Sequence, residues 1–211
     1  MHVRFIKTHA GFSASYQVIK DGSVIYRAEI PMNFRSCHAA FYHNDSQKYA
    51  LCFDSVEQVK NFIRDRASVK LLPFTIWTAD GALAGYAFQK RSKALFGYLY
   101  YAFSLNERAY TAYEIGMGKE GVKIPIFEGD KQIALIEKGT AVYNNKDEYD
   151  IYTADGFAVE TAALFNLYYD FVRFGRYGEA AYKSKEVNYT YTINKILKSK
   201  YDPAFKERYI G

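Results

Sequence analysis

The sequence predicts a mainly β fold, a closed antiparallel barrel of about twelve strands around one buried, mostly apolar helix. Three observations predict it. Short apolar segments alternate with polar turns along most of the chain. The 211 residues include 21 Tyr and 16 Phe, whose rings pack well on a pleated surface. A long, nearly uninterrupted apolar stretch at 157–174 follows the strands.

The strands are predicted from apolar segments that turn residues separate. Asp21-Gly22 is a strong hairpin signal, because glycine adopts the positive φ that such a turn needs. About eleven strands with short connections suit a single antiparallel barrel or sandwich. They are Ser15–Ile19, Val24–Ile30, Tyr49–Phe53, Phe74–Thr78, Ala82–Gln89, Gly97–Ser104, Ala109–Ile115, Val122–Phe127, Gln132–Glu137, Ala141–Tyr143 and Tyr149–Thr153.

A peripheral amphipathic helix is predicted over about 56–66. Ser55 can cap it, and Gln58 completes a capping box. Its apolar residues share one face, which indicates a lid packed on the sheet.

The stretch 157–174 predicts a second helix, bracketed by Gly156 and Gly175. Charged residues interrupt it, and each would cost about 2.5–3.5 kcal/mol at bilayer depth, so a membrane span is disfavoured. A helix that is apolar over most of its surface is surrounded by protein, and the preceding strands are the natural surround.

The sequence of this helix also predicts which of its side chains are buried and which need polar partners. Leu164, Phe165, Tyr168 and Phe171 form a continuous apolar face, which we expect to be almost fully buried. Three polar residues, Asn166, Asp170 and Arg173, must then find hydrogen-bond partners or reach a barrel end. Asp170 and Arg173 are three positions apart and can partly satisfy each other.

This layout resembles the tubby C-terminal-like superfamily, which includes the LURP-one-related proteins and the phospholipid scramblases. The resemblance covers residues 1–175 and depends on the many short strands, on Asp-Gly turns such as Asp80-Gly81 and on the helix at 157–174. It implies a single domain in which residues 1–175 form a barrel with a central helix. Residues 176–211 are then an extension packed outside the barrel, with 189–200 predicted to be helical.

The resemblance also implies a function. Tubby proteins bind phosphoinositide headgroups through basic residues, which suggests a non-enzymatic binding or scaffold module for anionic phospholipid headgroups or a protein partner. No family motif identifies the site, so the basic cluster Lys90, Arg91 and Lys93 is its candidate. The net charge of +5 permits such attraction. The N-terminus lacks the apolar core of a secretory signal, and we expect a cytoplasmic protein, peripheral to the membrane when bound.

Two other functions are compatible with the sequence. A small-molecule enzyme or ligand-binding barrel would use a site near Cys37, His38 and His43, although a polar loop over Phe34–Gln47 explains these residues equally well. Cys52 lies in an apolar run and is predicted to be a buried thiol. We assign no catalytic residue, metal or cofactor.

Single-stranded nucleic acid is the other alternative, through the basic and aromatic residues of 90–101. That function requires Tyr98 or Tyr100 to point outward over Lys93. Strand alternation instead predicts Phe96, Tyr98 and Tyr100 on the barrel interior, which makes nucleic acid the weaker alternative.

A GxGxxG motif at 116–121 does not predict a nucleotide cofactor. The residues that follow it, 122–127, include proline and are typical of a strand. A dinucleotide site needs a helix there, so that the phosphates meet the helix N-terminus. The glycines are better explained as a loop between two strands.

Overall fold

The computed structural model describes residues 1–11, 13–31, 36–54, 74–92, 97–142, 146–174, 186–187 and 190–209. The first strands are β1 (His2–Ala10), β2 (Ala14–Lys20), β3 (Ser23–Ile30), β4 (Ser36–His43), β5 (Ser46–Asp54), β6 (Phe74–Thr78), β7 (Leu83–Arg91) and β8 (Leu99–Leu105). The later strands are β9 (Arg108–Ala112), β10 (Ile115–Gly118), β11 (Val122–Glu128), β12 (Lys131–Lys138), β13 (Ala141–Val142), β14 (Glu148–Thr153), β15 (Glu186–Val187) and β16 (Thr190–Tyr191). The helices are α1 (Gly156–Phe174) and α2 (Lys195–Lys198), with a 3-10 turn at Lys206–Arg208.

Twelve strands close into one antiparallel ring. β1 to β9 pair in chain order, β9 pairs with β11, β11 with β12, β12 with β14, and β14 returns to β1. Phe5 of β1 accordingly lies opposite Val18 on one side and Tyr149 on the other. The predicted closed antiparallel barrel of about twelve strands is confirmed.

Three short strands and β10 lie beside this ring. β10 pairs with the first residues of β11, whereas β9 pairs with the last ones. β16 in turn pairs with β10, and β13 and β15 form a separate two-stranded sheet. The C-terminal part of the chain therefore returns to the barrel wall through β10.

The tight turns follow from residues that tolerate positive φ. Asp21 and Gly22 have φ of 49° and 80°, which confirms the predicted hairpin. Asn44 and Asp45 have φ of 48° and 61° and make a similar turn between β4 and β5. The polar loop that could explain Phe34–Gln47 is therefore wrong for residues 36–47, which form β4, a tight turn and the start of β5, while residues 34–35 lie outside the described ranges.

The segment 36–43 is a strand, and its described side chains alternate between inward and outward positions. Ala39 and Phe41 face inward and are buried, whereas His38 is exposed. Cys52, which lies opposite His38 on β5, is half-buried. The prediction of a buried thiol at this position is wrong, because Leu51, and not Cys52, occupies the inward position.

The long helix matches its predicted range closely. Asp155 caps it, since Asp155 Oδ1 accepts a hydrogen bond from the Ala158 amide at 2.9 Å. Every side chain from Ala158 to Asp170 is buried. Leu164, Phe165 and Tyr168 are each 0% exposed, as predicted. Phe171 is only partly buried, so that part of the prediction is wrong.

Strands from both halves of the chain contact α1, since Tyr169 packs edge-on against Tyr149 of β14 at 6.4 Å and further ring contacts are with β6 and β8. Phe165 packs against Tyr101 and Phe103 of β8, with ring centroids 5.6 and 6.1 Å apart. Tyr168 packs edge-on against Phe74 of β6 at 5.3 Å. These residues belong to one core cluster that also includes inward-facing residues of the other ring strands.

The polar residues of α1 find different partners from those predicted. Arg173 pairs with Glu114 at 2.8 Å, and Asp170 accepts hydrogen bonds from Tyr16 and Tyr149. The mutual Asp170–Arg173 pairing is therefore wrong, because each side chain has a closer partner on the barrel wall. Both polar atoms of the Asn166 side chain are buried and make no hydrogen bond within the described chain.

The helix predicted over 189–200 is much shorter. Of the described residues 190–200, only Lys195–Lys198 are helical, and Thr190–Tyr191 form β16, because Tyr and Thr residues favour an extended backbone. Farther on, Phe205 is 1% exposed and packs in a small cluster with Leu135 and Tyr152.

The helix predicted over 56–66 lies outside the described residues. None of the helices in the described ranges is long and apolar enough to cross a bilayer.

Candidate functional site

Two of the three predicted basic residues lie at one end of the barrel. Lys90 and Arg91 end β7 and are both exposed, while Lys93 lies outside the described residues. Lys90 Nζ lies 4.7 Å from the ring centroid of Phe88, and Arg91 Nη1 donates a hydrogen bond to the carbonyl oxygen of Gly97 at 3.1 Å. Within the described ranges, neither residue forms an ion pair with a carboxylate.

The aromatic residues beside them face outward. In β8, Tyr101, Phe103 and Leu105 are buried, whereas Tyr100 and the preceding Tyr98 are half-exposed. The prediction that Tyr98 and Tyr100 line the interior is wrong, because the odd-numbered set from Tyr101 onward packs against α1. Phe96 lies outside the described residues.

Three tyrosines form a cluster on this outer face. Tyr98, Tyr100 and Tyr113 have ring centroids 6.1 to 6.2 Å from one another. Lys200 Nζ lies 5.5 Å from the centroid of Tyr113, and Lys90 is the cross-strand partner of Tyr100. Burial, and then the neighbouring Tyr98 and Tyr100, raise the pKa of Tyr113, so the phenol stays neutral at physiological pH.

These contacts define a continuous surface, which we call the rim. The antiparallel ring places the end of β7, the start of β8 and the end of β9 at the same end of the barrel, since Arg91 pairs with Leu99 and Tyr101 with Ala112. Both ends of the rim carry cations, and its middle is aromatic. The rim consists of Lys90, Arg91, Tyr98, Tyr100, Tyr113 and Lys200.

Sequence reasoning identified only part of the rim. Tyr113 follows β9 and Lys200 follows α2, so both lie far along the chain from Lys90. Tyr113 continues the outward positions of β9, after Ala109 and Thr111. Alternation along that strand is the one signal that could have assigned Tyr113 to the outer face. Lys200 gave no signal, because only the return of the C-terminal segment brings it close to Tyr113.

A second charge cluster at the same end is buried and self-compensated. Lys7 Nζ lies 2.6 Å from Asp170 Oδ2 and 3.3 Å from Asp147 Oδ2, and Lys138 Nζ lies 2.8 Å from Asp147 Oδ1. Two lysines and two carboxylates thus neutralise one another away from water. This arrangement holds the barrel wall to α1 and leaves no net charge for a ligand.

The pKa shifts in that cluster have identifiable causes. Burial, followed by the nearby Asp170, raises the pKa of Asp147 despite its two lysine partners. Burial alone would lower the pKa of Lys7, but Asp170 and Asp147 together outweigh it and raise the Lys7 pKa. Lys7 therefore stays charged at physiological pH, which the ion pairs require.

The structure does not bring the Cys37, His38 and His43 group together. His38 Nδ1 lies 3.1 Å from Cys52 Sγ, whereas the His43 ring packs against Tyr26 at 5.1 Å. Five positions along a strand separate the two histidines by about 16 Å. Burial raises the pKa of the Cys52 thiol. The higher pKa favours the protonated thiol, which is a weaker nucleophile than the thiolate. The side chain of Cys37 lies outside the described residues, and the described part holds no group of three metal-ligating side chains.

The GxGxxG segment is a hairpin. Gly116 and Gly118 lie in β10, and Gly121 precedes β11 with a φ of +82°. A strand, and not a helix, follows the glycines, as predicted.

Comparison of the chain with known proteins finds no match among family models, curated proteins or solved structures.

Proposed function

We propose that the chain is a non-enzymatic binding module of tubby-like fold, in which α1 occupies the barrel interior and ligands bind outside. Its contacts support this placement. Near the end of α1, Asp170 accepts hydrogen bonds from Tyr16 of β2 and Tyr149 of β14. Near its start, Glu160 accepts a hydrogen bond from Tyr49 of β5 at 3.0 Å. A helix touched from several sides of a closed ring occupies the volume in which an internal ligand would bind.

The rim is the surface that best fits a ligand, and anionic phospholipid headgroups are the ligand class we propose. The observation that carries this proposal is the row Lys90–Tyr100–Tyr113–Lys200. Its cations lack carboxylate partners within the described ranges, and its tyrosines are half-exposed. Tyrosine is enriched at membrane interfaces because its ring is apolar and its hydroxyl is polar. Since the cytoplasmic leaflet carries the anionic lipids, the proposal places the protein in the cytoplasm, at that surface.

Vesicle co-sedimentation tests the proposal. The wild-type protein should bind vesicles that contain phosphatidylserine and should not bind neutral phosphatidylcholine vesicles. Each basic residue near an anionic surface contributes about 1 kcal/mol, so Lys90→Ala with Lys200→Ala should weaken binding roughly thirty-fold. Lys131→Ala is the matched control, because Lys131 is exposed at the start of β12, at the opposite end of the barrel. Equal binding to both kinds of vesicle, or none to either, would rule the function out.

Single-stranded nucleic acid is a second candidate, which one observation favours. Tyr98 and Tyr100 face outward beside Lys90, as a stacking platform for bases requires. An oligonucleotide that binds with a steep salt dependence, and whose affinity falls in Tyr100→Ala, would support it. If vesicles bind and oligonucleotides do not, the phospholipid function stands alone.

A further inference from the structure

The segment from β16 through α2 exposes large apolar side chains. Tyr191 is 73% exposed, Ile193 94% and Ile196 64%. Single exposed apolar residues are common on protein surfaces and need no explanation. Three such residues within six positions leave a local apolar surface that contact with another apolar phase would stabilise.

The segment is held in place and is not a loose tail. The Thr192 amide donates to the Gly116 carbonyl at 3.1 Å, and the Gly116 amide donates to Thr192 Oγ1 at 2.8 Å. Asn194 caps α2 by accepting a hydrogen bond from the Leu197 amide at 3.0 Å. Leu197 points the other way and is 5% exposed. Among the described side chains of residues 191–200, Leu197 alone is buried, and Ile193 and Ile196 are held outward.

The charge of the segment points to an anionic surface. Residues 188–201 contain three lysines, Lys195, Lys198 and Lys200, and no Asp or Glu. Lys195 and Lys198 are exposed and alternate with the isoleucines. Lysines interleaved with aliphatic residues are typical of elements that lie in a membrane interface.

The segment also adjoins the rim. Lys200 belongs to both, through its contact with Tyr113, and β16 is attached to the hairpin that begins just after Tyr113. Both surfaces lie at the same end of the barrel, so a flat bilayer can meet them together. A bilayer supplies the anionic charge and the apolar phase at once.

We infer that residues 190–200 form a wedge that inserts Ile193 and Ile196 below the headgroups of an anionic bilayer, an inference that rests on the function proposed above. Lys195 and Lys198 then contact the phosphates on either side. The rim provides electrostatic attraction, and the wedge provides the part of the binding that salt does not screen.

The test uses the full-length protein and vesicles that contain phosphatidylserine. The double variant Ile193→Ser with Ile196→Ser should bind roughly ten- to a hundred-fold more weakly than wild type, because two exposed side chains no longer enter the apolar phase. Leu83→Ser is the matched control, since Leu83 is 60% exposed at the opposite end of the barrel. It should bind like the wild type. Wild-type binding should also persist in part at high salt, whereas that of the double variant should not.

A depth measurement gives an independent readout. Ile193→Trp in a Trp77→Phe background carries the chain's one tryptophan at the wedge, and lipids brominated on their acyl chains should quench its fluorescence. If the wild type binds but the double variant binds equally and the tryptophan is not quenched, the wedge is wrong and the phospholipid function survives. Quenching on neutral vesicles, with no preference for anionic lipid, would keep the wedge and remove the headgroup function.

A second copy of the chain is the competing occupant of this surface. Sedimentation equilibrium distinguishes it from a bilayer. A wild-type dimer that the double variant converts to a monomer would assign the isoleucines to self-association and overturn the wedge. A wild type that stays monomeric without lipid supports it.

Discussion

Lys7 Nζ, on the first strand of the ring, lies 2.6 Å from Asp170 Oδ2 near the end of α1. The two side chains are 3% and 0% exposed, so the pair ties the helix to the barrel wall away from water. Tyr16 and Tyr149 donate hydrogen bonds to the same carboxylate at 2.8 and 2.6 Å. One carboxylate therefore holds three separate elements of the fold.

Asp170→Asn should destabilise the protein by about 3–5 kcal/mol, the cost of removing one partner of a buried ion pair. Urea unfolding measures the effect. Glu148→Gln is the control, because its pair with Arg4 is exposed and should contribute about 1 kcal/mol or less. Similar losses in the two variants would show that the carboxylate at 170 does not hold the helix.

Phe165→Ala tests whether α1 is part of the core. Phe165 is 0% exposed and packs against Tyr101 and Phe103, so emptying its site should cost about 3–5 kcal/mol. Tyr86→Ala, at a residue that is 47% exposed on the outer face, should change the unfolding free energy by about 0.5 kcal/mol or less. A loss of only a few tenths of a kcal/mol at position 165 would make the helix peripheral.

Stability should fall as the pH rises from about 10 to about 12. Burial, and then Glu160, raise the pKa of Tyr26 to about 12, and burial, and then Asp150, raise the pKa of Tyr152 to about 12. The unfolded chain loses these protons near pH 10 while the folded protein keeps them, so unfolding is favoured above that pH. Urea midpoints across this range measure the fall. The variant Tyr26→Phe with Tyr152→Phe should show a shallower fall than the wild type, and an equal slope would contradict the assignment.

Gly121→Ala should destabilise the hairpin that carries β16. A Cβ at 121 would lie 2.0 Å from the carbonyl oxygen of Lys138, and the φ of +82° disfavours any other residue. Gly129→Ala measures the cost of the positive φ without the steric clash, because φ is +57° there and no atom beyond the adjoining residues lies within 4 Å of the added Cβ. The control should lose about 1–2 kcal/mol in thermal unfolding, and Gly121→Ala distinctly more. Equal losses would mean that the backbone at 138 moves aside easily.

The barrel was predictable because short apolar segments alternate with polar turns along most of the sequence. Predictions failed where both faces of a strand carry similar residues. Tyr98 and Tyr100 on one face of β8 are chemically equivalent to Tyr101 and Phe103 on the other, so alternation identified two sets without showing which one faces inward. Contact with Phe165, more than sixty positions away, decides the orientation.

The residues that the sequence analysis did not identify are positioned by long-range contacts. A lysine in a strand, such as Lys7, is expected on the solvent-exposed face. Its charge is buried here because Asp147 and Asp170, far along the chain, compensate it. Tyr113 and Lys200 likewise join the rim through a contact that no local pattern encodes. The candidate site was therefore predictable to the extent that Lys90 and Arg91 are adjacent in sequence.

Hydrogen exchange with and without phosphatidylserine vesicles tests the central claim most directly, because it locates the contact without any substitution. Vesicles should slow the exchange of amides at 97–98, 113–114 and 192–200, which lie in or next to the rim and the wedge. They should leave the exchange of the turn at Asn44 and Asp45, at the opposite end, unchanged. Slowing at that turn or along β4 and β5, with none at the rim, would contradict the account.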